Sequence, residues 1–106
     1  MLGPLTNPQR KFLRGLAHNM PATMHLGKLG LTPSFLTSLE QALLNHELIK
    51  LRFTNLQEER KEISKQIQDE TKAVQVSMVG HTAIFFRPSP DKEKRKIVLP
   101  RVKRAD

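Results

Sequence analysis

Apolar positions along this chain recur with two periods, and the switches between them mark its elements. Thr6-Asn7-Pro8-Gln9 reads as a capped helix start, with Thr6 or Asn7 as the cap, after a loose lead over residues 1–5. Phe12, Leu13, Leu16, Ala17 and Met20 follow at helical spacing and predict a buried stripe that ends before Pro21. Thr23–Leu26 is a short apolar run that predicts a strand. After it come Gly27-Lys28-Leu29-Gly30-Leu31-Thr32, with Thr32 placed to cap a second helix and Pro33 at its first position. Phe35, Leu36, Leu39, Ala42 and Leu43 form that helix's apolar face, which runs to about Asn45-His46. Residues 48–54 alternate: Ile49, Leu51 and Phe53 are predicted to face the core, and Lys50 and Arg52 the opposite, wet side.

Leu56, Ile63 and Ile67 supply a thin stripe to a third, peripheral helix over residues 56–71. Two strands, 73–79 and 82–87, meet at Gly80-His81, where glycine at the first central position suits a type II′ turn. Regular alternation puts Val74, Val76, Met78, Ala83 and Phe85 on one face. Gln75, Ser77, Val79, Ile84 and Phe86 then share the other, leaving Ile84 and Phe86 to be covered or exposed. Pro88 and Pro90 end the hairpin. The charged run Asp91–Lys96 reads as flexible, and Ile97-Val98-Leu99 either covers the patch near Phe86 or adds an edge strand. The order α-β-α-β-α-β-β predicts an α/β fold, one small domain over residues 6–101, with a short basic tail at 102–106.

Charge changes the picture most. The 106 residues carry a net charge of +8 with a pI of about 10.3, which points to a polyanionic partner. The bases are unevenly spread. Residues 57–72 hold five acids against four bases, whereas 73–106 hold eight bases against three acids. No cysteine is present, which removes disulfides and thiolate chemistry. His18, His25, His46 and His81 lie on separate elements without metal-ligand spacing, and no acid–base pair or nucleophile motif stands out. The expectation is a non-enzymatic, cytoplasmic protein without cofactor or metal. With no long apolar run and no helix pairing a broad apolar face with a lysine-rich one, no membrane role is expected.

The candidate contacts are phosphate-seeking. Arg10, Lys11 and Arg14 lie on the first helix, where no acid stands between Thr6 and Met20 to pair with them. Lys28 sits between Gly27 and Gly30 in a turn feeding a helix N-terminus, a place where backbone N–H groups and a positive dipole end favour an anion. Lys50 and Arg52 on the wet strand face, Arg87, and the C-terminal bases beginning with Arg101 complete the set. There is no Trp or Tyr. Phe12, Phe35, Phe53 and Phe85 occupy core-facing positions, and Phe86 alone is left to stack, so recognition is expected to rest on phosphates, amides and shape.

Separated motifs in this order resemble a known family. Gln9-Arg10-Lys11-Phe12-Leu13-Arg14-Gly15-Leu16-Ala17-His18, Leu26–Thr32, His46-Glu47-Leu48-Ile49-Lys50, Val79-Gly80-His81 and Phe86-Arg87-Pro88 are similar to the YhbY-type, stand-alone chloroplast RNA splicing and ribosome maturation (CRM) domain. The likeness runs from about Thr6 to Arg101. It implies a four-stranded mixed sheet with helices against it, like the C-terminal domain of translation initiation factor three. It further implies RNA binding partly through a G-x-x-G loop, here Gly27-Lys28-Leu29-Gly30, with the first-helix and second-strand bases falling to Arg10, Lys11, Arg14 and Lys50.

The chain departs from the family where Thr71-Lys72-Ala73 replaces the usual helix-ending glycine, so that either Lys72 adopts a left-handed conformation or the helix ends differently. Ser77 stands where relatives often have glutamine. Leu29 is expected to pack or wedge at the loop tip. The resemblance implies binding to ribosomal RNA in precursors of the large ribosomal subunit and help in its assembly, and the protein is expected to be a monomer. An alternative is a protein-interaction module docking on the ribosome or translation machinery through Ile84, Phe86 and the basic tail.

Overall fold

The computed structural model describes residues 4–101. Helix α1 spans Asn7–His18, strand β1 Met24–Leu26, α2 Pro33–His46, β2 Leu48–Phe53, α3 Arg60–Thr71, β3 Val74–Val79 and β4 Thr82–Phe86. The strands form one mixed sheet in the order β1-β2-β4-β3. β1 and β2 are parallel, as a pair joined through a crossover helix can be, while β2/β4 and β3/β4 are antiparallel. The α/β architecture and its element order are those expected.

Each start signal works through local chemistry. Thr6 closes a reciprocal capping box: its hydroxyl accepts from the Gln9 N–H at 3.2 Å, and its own N–H donates to Gln9 Oε1 at 3.0 Å. Thr32 caps α2 by accepting from the Phe35 N–H at 3.0 Å, with Pro33 at the first helical position. Gly80 has φ +58 and His81 has no positive φ, the pattern of a type II′ turn.

Helices α2 and α3 bury Leu39, Leu43, Ile63 and Ile67 against Leu26, Ile49, Leu51, Phe53, Ala83 and Phe85 on one face. On the other, α1 contributes Leu13 and Ala17 to a second cluster with Leu48, Val76, Ile84 and Phe86. Leu5 belongs to this cluster at 7% exposure, so the expected loose lead is packed at least from that residue.

Several sequence expectations are corrected. Phe12 and Leu16 stay 36% and 41% exposed, because α1 meets the sheet along Leu13, Ala17 and Met20, and the five-residue stripe is wider than that contact. The third helix begins at Arg60, not at residue 56. Leu56 adopts a left-handed φ of 55° and a 3-10 turn over Gln57–Glu59 intervenes. A bulge between Gln75 and Ser77 shifts the β3 register, so Val74 pairs with Phe86 and Ser77 with Ile84. Val74 and Val76 therefore share the α1 face with Ile84 and Phe86, while Met78 remains with Ala83 and Phe85. Ile84 and Phe86 are 4% and 1% exposed, which removes the apolar docking patch and the one aromatic expected to be free.

The chain after β4 is held in place. Ile97 and Leu99 pack over the second cluster, adding no strand among the described residues, while Val98 is 82% exposed. The charged run forms a 3-10 turn, Lys92–Lys94, capped by the Asp91 side chain. Its anchor is Glu47, 1% exposed, whose carboxylate accepts from the N–H groups of Ser89 and Lys96, both at 2.7 Å, and of Ile97 at 3.1 Å. The tail at 102–106 lies outside the described residues.

Lys72 ends α3 at φ 64, ψ 11, its N–H donating to the Gln68 carbonyl at 2.9 Å. A left-handed non-glycine residue costs about 1–2 kcal/mol, and glycine returns about 0.4–1 kcal/mol of that through unfolded-chain entropy. Lys72→Gly is expected to raise stability by about 0.5–1 kcal/mol, read as a melting temperature a few degrees higher. A lower melting temperature would contradict this account of the helix end.

Candidate functional site

The α1 face of the sheet is covered at one end and open at the other. Leu48 at the start of β2 lies under α1, Lys50 is half-buried, and Arg52 is exposed. Arg52 stands in register with His25 on β1 and Thr82 on β4. Lys50 ties the end of α1 to β2, donating through Nζ to the carbonyls of Ala17 at 3.1 Å and Met20 at 3.0 Å. The Ala17 carbonyl belongs to the last turn of α1, whose partial negative charge suits an ammonium, and Met20 follows just beyond the helix end. Arg14 and His18, one turn apart on α1, overhang the sheet here. With Lys50, Val79, Thr82 and Ile84 they line a cleft of 240 Å³.

The glycine turn emerges at the same end. Leu26 lies opposite Phe53, and the Phe53 N–H donates to His81 in the hairpin turn at 2.8 Å. Inside the turn the Gly30 N–H donates to Gly27 at 3.1 Å and the Thr32 N–H to Gly30 at 3.0 Å. Gly30 has φ +69, a conformation that favours glycine, and a Cβ there would come within 3.3 Å of Leu56 Cδ1, which would have to give way slightly. A Cβ at Gly27 would meet nothing within 4 Å, and what its absence leaves is open backbone. Among the described residues the Lys28 and Leu29 amides have no acceptor and the Lys28 ammonium has no partner. Leu29 packs on nothing, being 81% exposed.

The residues singled out from sequence divide into two sets. Arg14, Gly27, Lys28, Leu29, Gly30 and Arg52 gather at the loop end of the sheet, and Lys11 is exposed on α1 one turn before Arg14. The others hold the fold. Arg10 donates through Nη1 to the carbonyls of Gln75 at 2.8 Å and Val76 at 2.9 Å, inside the β3 bulge. Arg87 pairs with Glu40 Oε2 at 2.9 Å and donates to the Thr71 carbonyl at 2.7 Å, joining α2 to the end of α3. Lys50 is committed to α1. Arg101 is exposed but sits by the N-terminus of α1, where the neighbouring Pro100 carbonyl accepts from Gln9 Nε2 at 3.1 Å. His25 and Thr82 were absent from the expected set, since only strand pairing brings them beside Arg52. The exposed aromatic is Phe12 instead of Phe86, on the flank of α1 away from Arg14.

The pattern of the CRS1 / YhbY (CRM) domain matches residues 5–87. A Haemophilus influenzae RNA-binding protein is similar to this chain, 44% identical over 98 residues that cover 92% of this chain and 96% of its own length. The Bacillus subtilis protein YqeI is 29% identical over 97 residues, 91% of this chain and 99% of that one. The solution structure of the hypothetical protein SAV1595 from Staphylococcus aureus has a TM-score of 0.75 at 30% identity, covering 92% of this chain and 100% of that one. Motif order, sheet topology and full-length similarity agree, and the chain belongs to the CRS1/YhbY (CRM) domain family.

Proposed function

We propose that this protein binds structured RNA by its sugar–phosphate backbone, through the Gly27–Gly30 loop and the open end of the sheet. The observation that carries the reading is one arrangement: free Lys28 and Leu29 amides, an unpartnered Lys28 ammonium, and Arg14 and Arg52 displayed at the same end of the fold. Phosphate oxygens take backbone amides and cations together. The name of the Haemophilus influenzae relative supports the same ligand class. Lys11 extends the surface along α1. Arg10, Lys50 and Arg87 act beneath it by fixing α1, β2 and β4 in place. The ligand is ribosomal RNA in precursors of the large subunit, and the protein acts there as a cytoplasmic, monomeric assembly factor without catalysis, a reading that rests on the family resemblance.

Gel-shift titration on large-subunit ribosomal RNA fragments tests the reading. Affinity should fall linearly on a log–log plot against salt, each phosphate contributing a slope of about 0.7–0.9. Lys28→Glu should weaken binding about tenfold or more and reduce the slope by about one, with an unchanged melting temperature. Parental affinity in that variant would sink the loop assignment. Crosslinking in cells, followed by sequencing of the bound RNA, tests the ribosomal ligand.

A further inference from the structure

The cleft between the C-terminal half of α1 and the sheet has features that phosphate binding does not use. Its 240 Å³ equals about eight waters at roughly 30 Å³ each, below the range of drug-sized pockets and enough for one flat heterocycle. Its chemistry is layered. Ile84, 4% exposed, supplies an apolar floor, and Val79, 64% exposed, an apolar lip. The Thr82 hydroxyl and His18 imidazole can donate and accept hydrogen bonds at the sides. Lys50 holds the α1 wall by its bonds to Ala17 and Met20. Beside the floor, Ser77 pairs with Ile84 across the bulge, and its buried hydroxyl has no hydrogen-bond partner. Among the described residues it is the one such orphaned side-chain atom on the α1 face; Arg60 Nε and Ser64 Oγ belong to α3.

We infer that this cleft accepts one unpaired RNA nucleobase turned out of its helix, while the flanking phosphates follow Arg52 and Lys28. The inference rests on the RNA-binding reading and adds to it a base-reading element, which replaces the aromatic stacking that the buried phenylalanines cannot offer. A duplex would touch the phosphate sites alone. A bulge or loop nucleotide would fill the cleft as well.

The test compares two short RNA hairpins of equal length, one fully paired and one with a single bulged nucleotide, together with the bulged hairpin carrying an abasic nucleotide. The full-length protein should bind the bulged hairpin about tenfold more tightly than the paired one, and removal of the base alone should abolish the gain. Val79→Met, a neutral change at the exposed lip, should erase the preference while duplex affinity stays unchanged. Thr82→Met, which fills the cleft from the sheet side, is the companion variant and should erase the preference as well. Equal affinity for paired, bulged and abasic RNA would overturn the cleft and leave RNA binding standing. Failure to bind any of the three would overturn both.

Discussion

Glu47→Ala is expected to lower the melting temperature by roughly 12 °C or more. Its carboxylate is the sole side-chain acceptor for three backbone N–H groups, of Ser89, Lys96 and Ile97. Hydrogen bonds to a charged group contribute about 1.5–3 kcal/mol each, and donors left buried without partners add a penalty. The losses overlap, because the chain after β4 can lift and let water reach its amides, so a net of about 3–5 kcal/mol is the reasonable sum. At about 4–8 °C per kcal/mol for a domain of this size, that becomes the stated shift. Lifting would also uncover Phe86 and Ile84, which Ile97 and Leu99 help to cover.

Glu47 further has φ 63, a conformation costing a non-glycine residue about 1–3 kcal/mol, which its hydrogen bonds must outweigh. Glu47→Gly removes the strain along with the carboxylate and should therefore fall about 1 kcal/mol short of the alanine loss. Thermal melts rank the three proteins, parent above glycine above alanine. An alanine variant melting within a few degrees of the parent would refute the anchoring role.

The second large effect concerns the opposite end of the sheet. Arg14→Glu combined with Arg52→Glu should cut RNA affinity by about a hundredfold or more at moderate salt, since two phosphate contacts become repulsions. Both side chains are exposed, so stability should move by no more than about 0.5 kcal/mol. Arg87→Ala provides the contrast. It breaks the contacts to Glu40 and Thr71 and should lower stability by about 1–3 kcal/mol while RNA affinity, measured below the transition, holds. Indifference of RNA binding to the double reversal would remove the open sheet end from the interface.

These two groups of arginines look alike in the chain. Arg10 and Arg14 are one turn apart on the same helix, yet Arg10 reaches the Gln75 and Val76 carbonyls whereas Arg14 overhangs the cleft. The bulge that receives Arg10 is itself absent from the alternation of β3, and it exchanged the faces of Val74 and Val76. Phe12 and Phe86 traded places for a related reason: which apolar residue is covered depends on how wide the covering element is.

What the sequence by itself determined lies mostly within about four residues along the chain. The cap at the start of α1, Thr32 with Pro33 at the start of α2, and the Gly80 turn follow from neighbouring chemistry. So do the element order and the place of the glycine turn before α2. Only the tertiary structure decided which charges remain free. Lys50 finds its acceptors about thirty residues away and Arg10 sixty-five, and Glu47 takes its three donors from 42 to 50 residues along. A cation's availability depends on whether folding delivers a carbonyl or carboxylate within about 3 Å, and no local pattern carries that information.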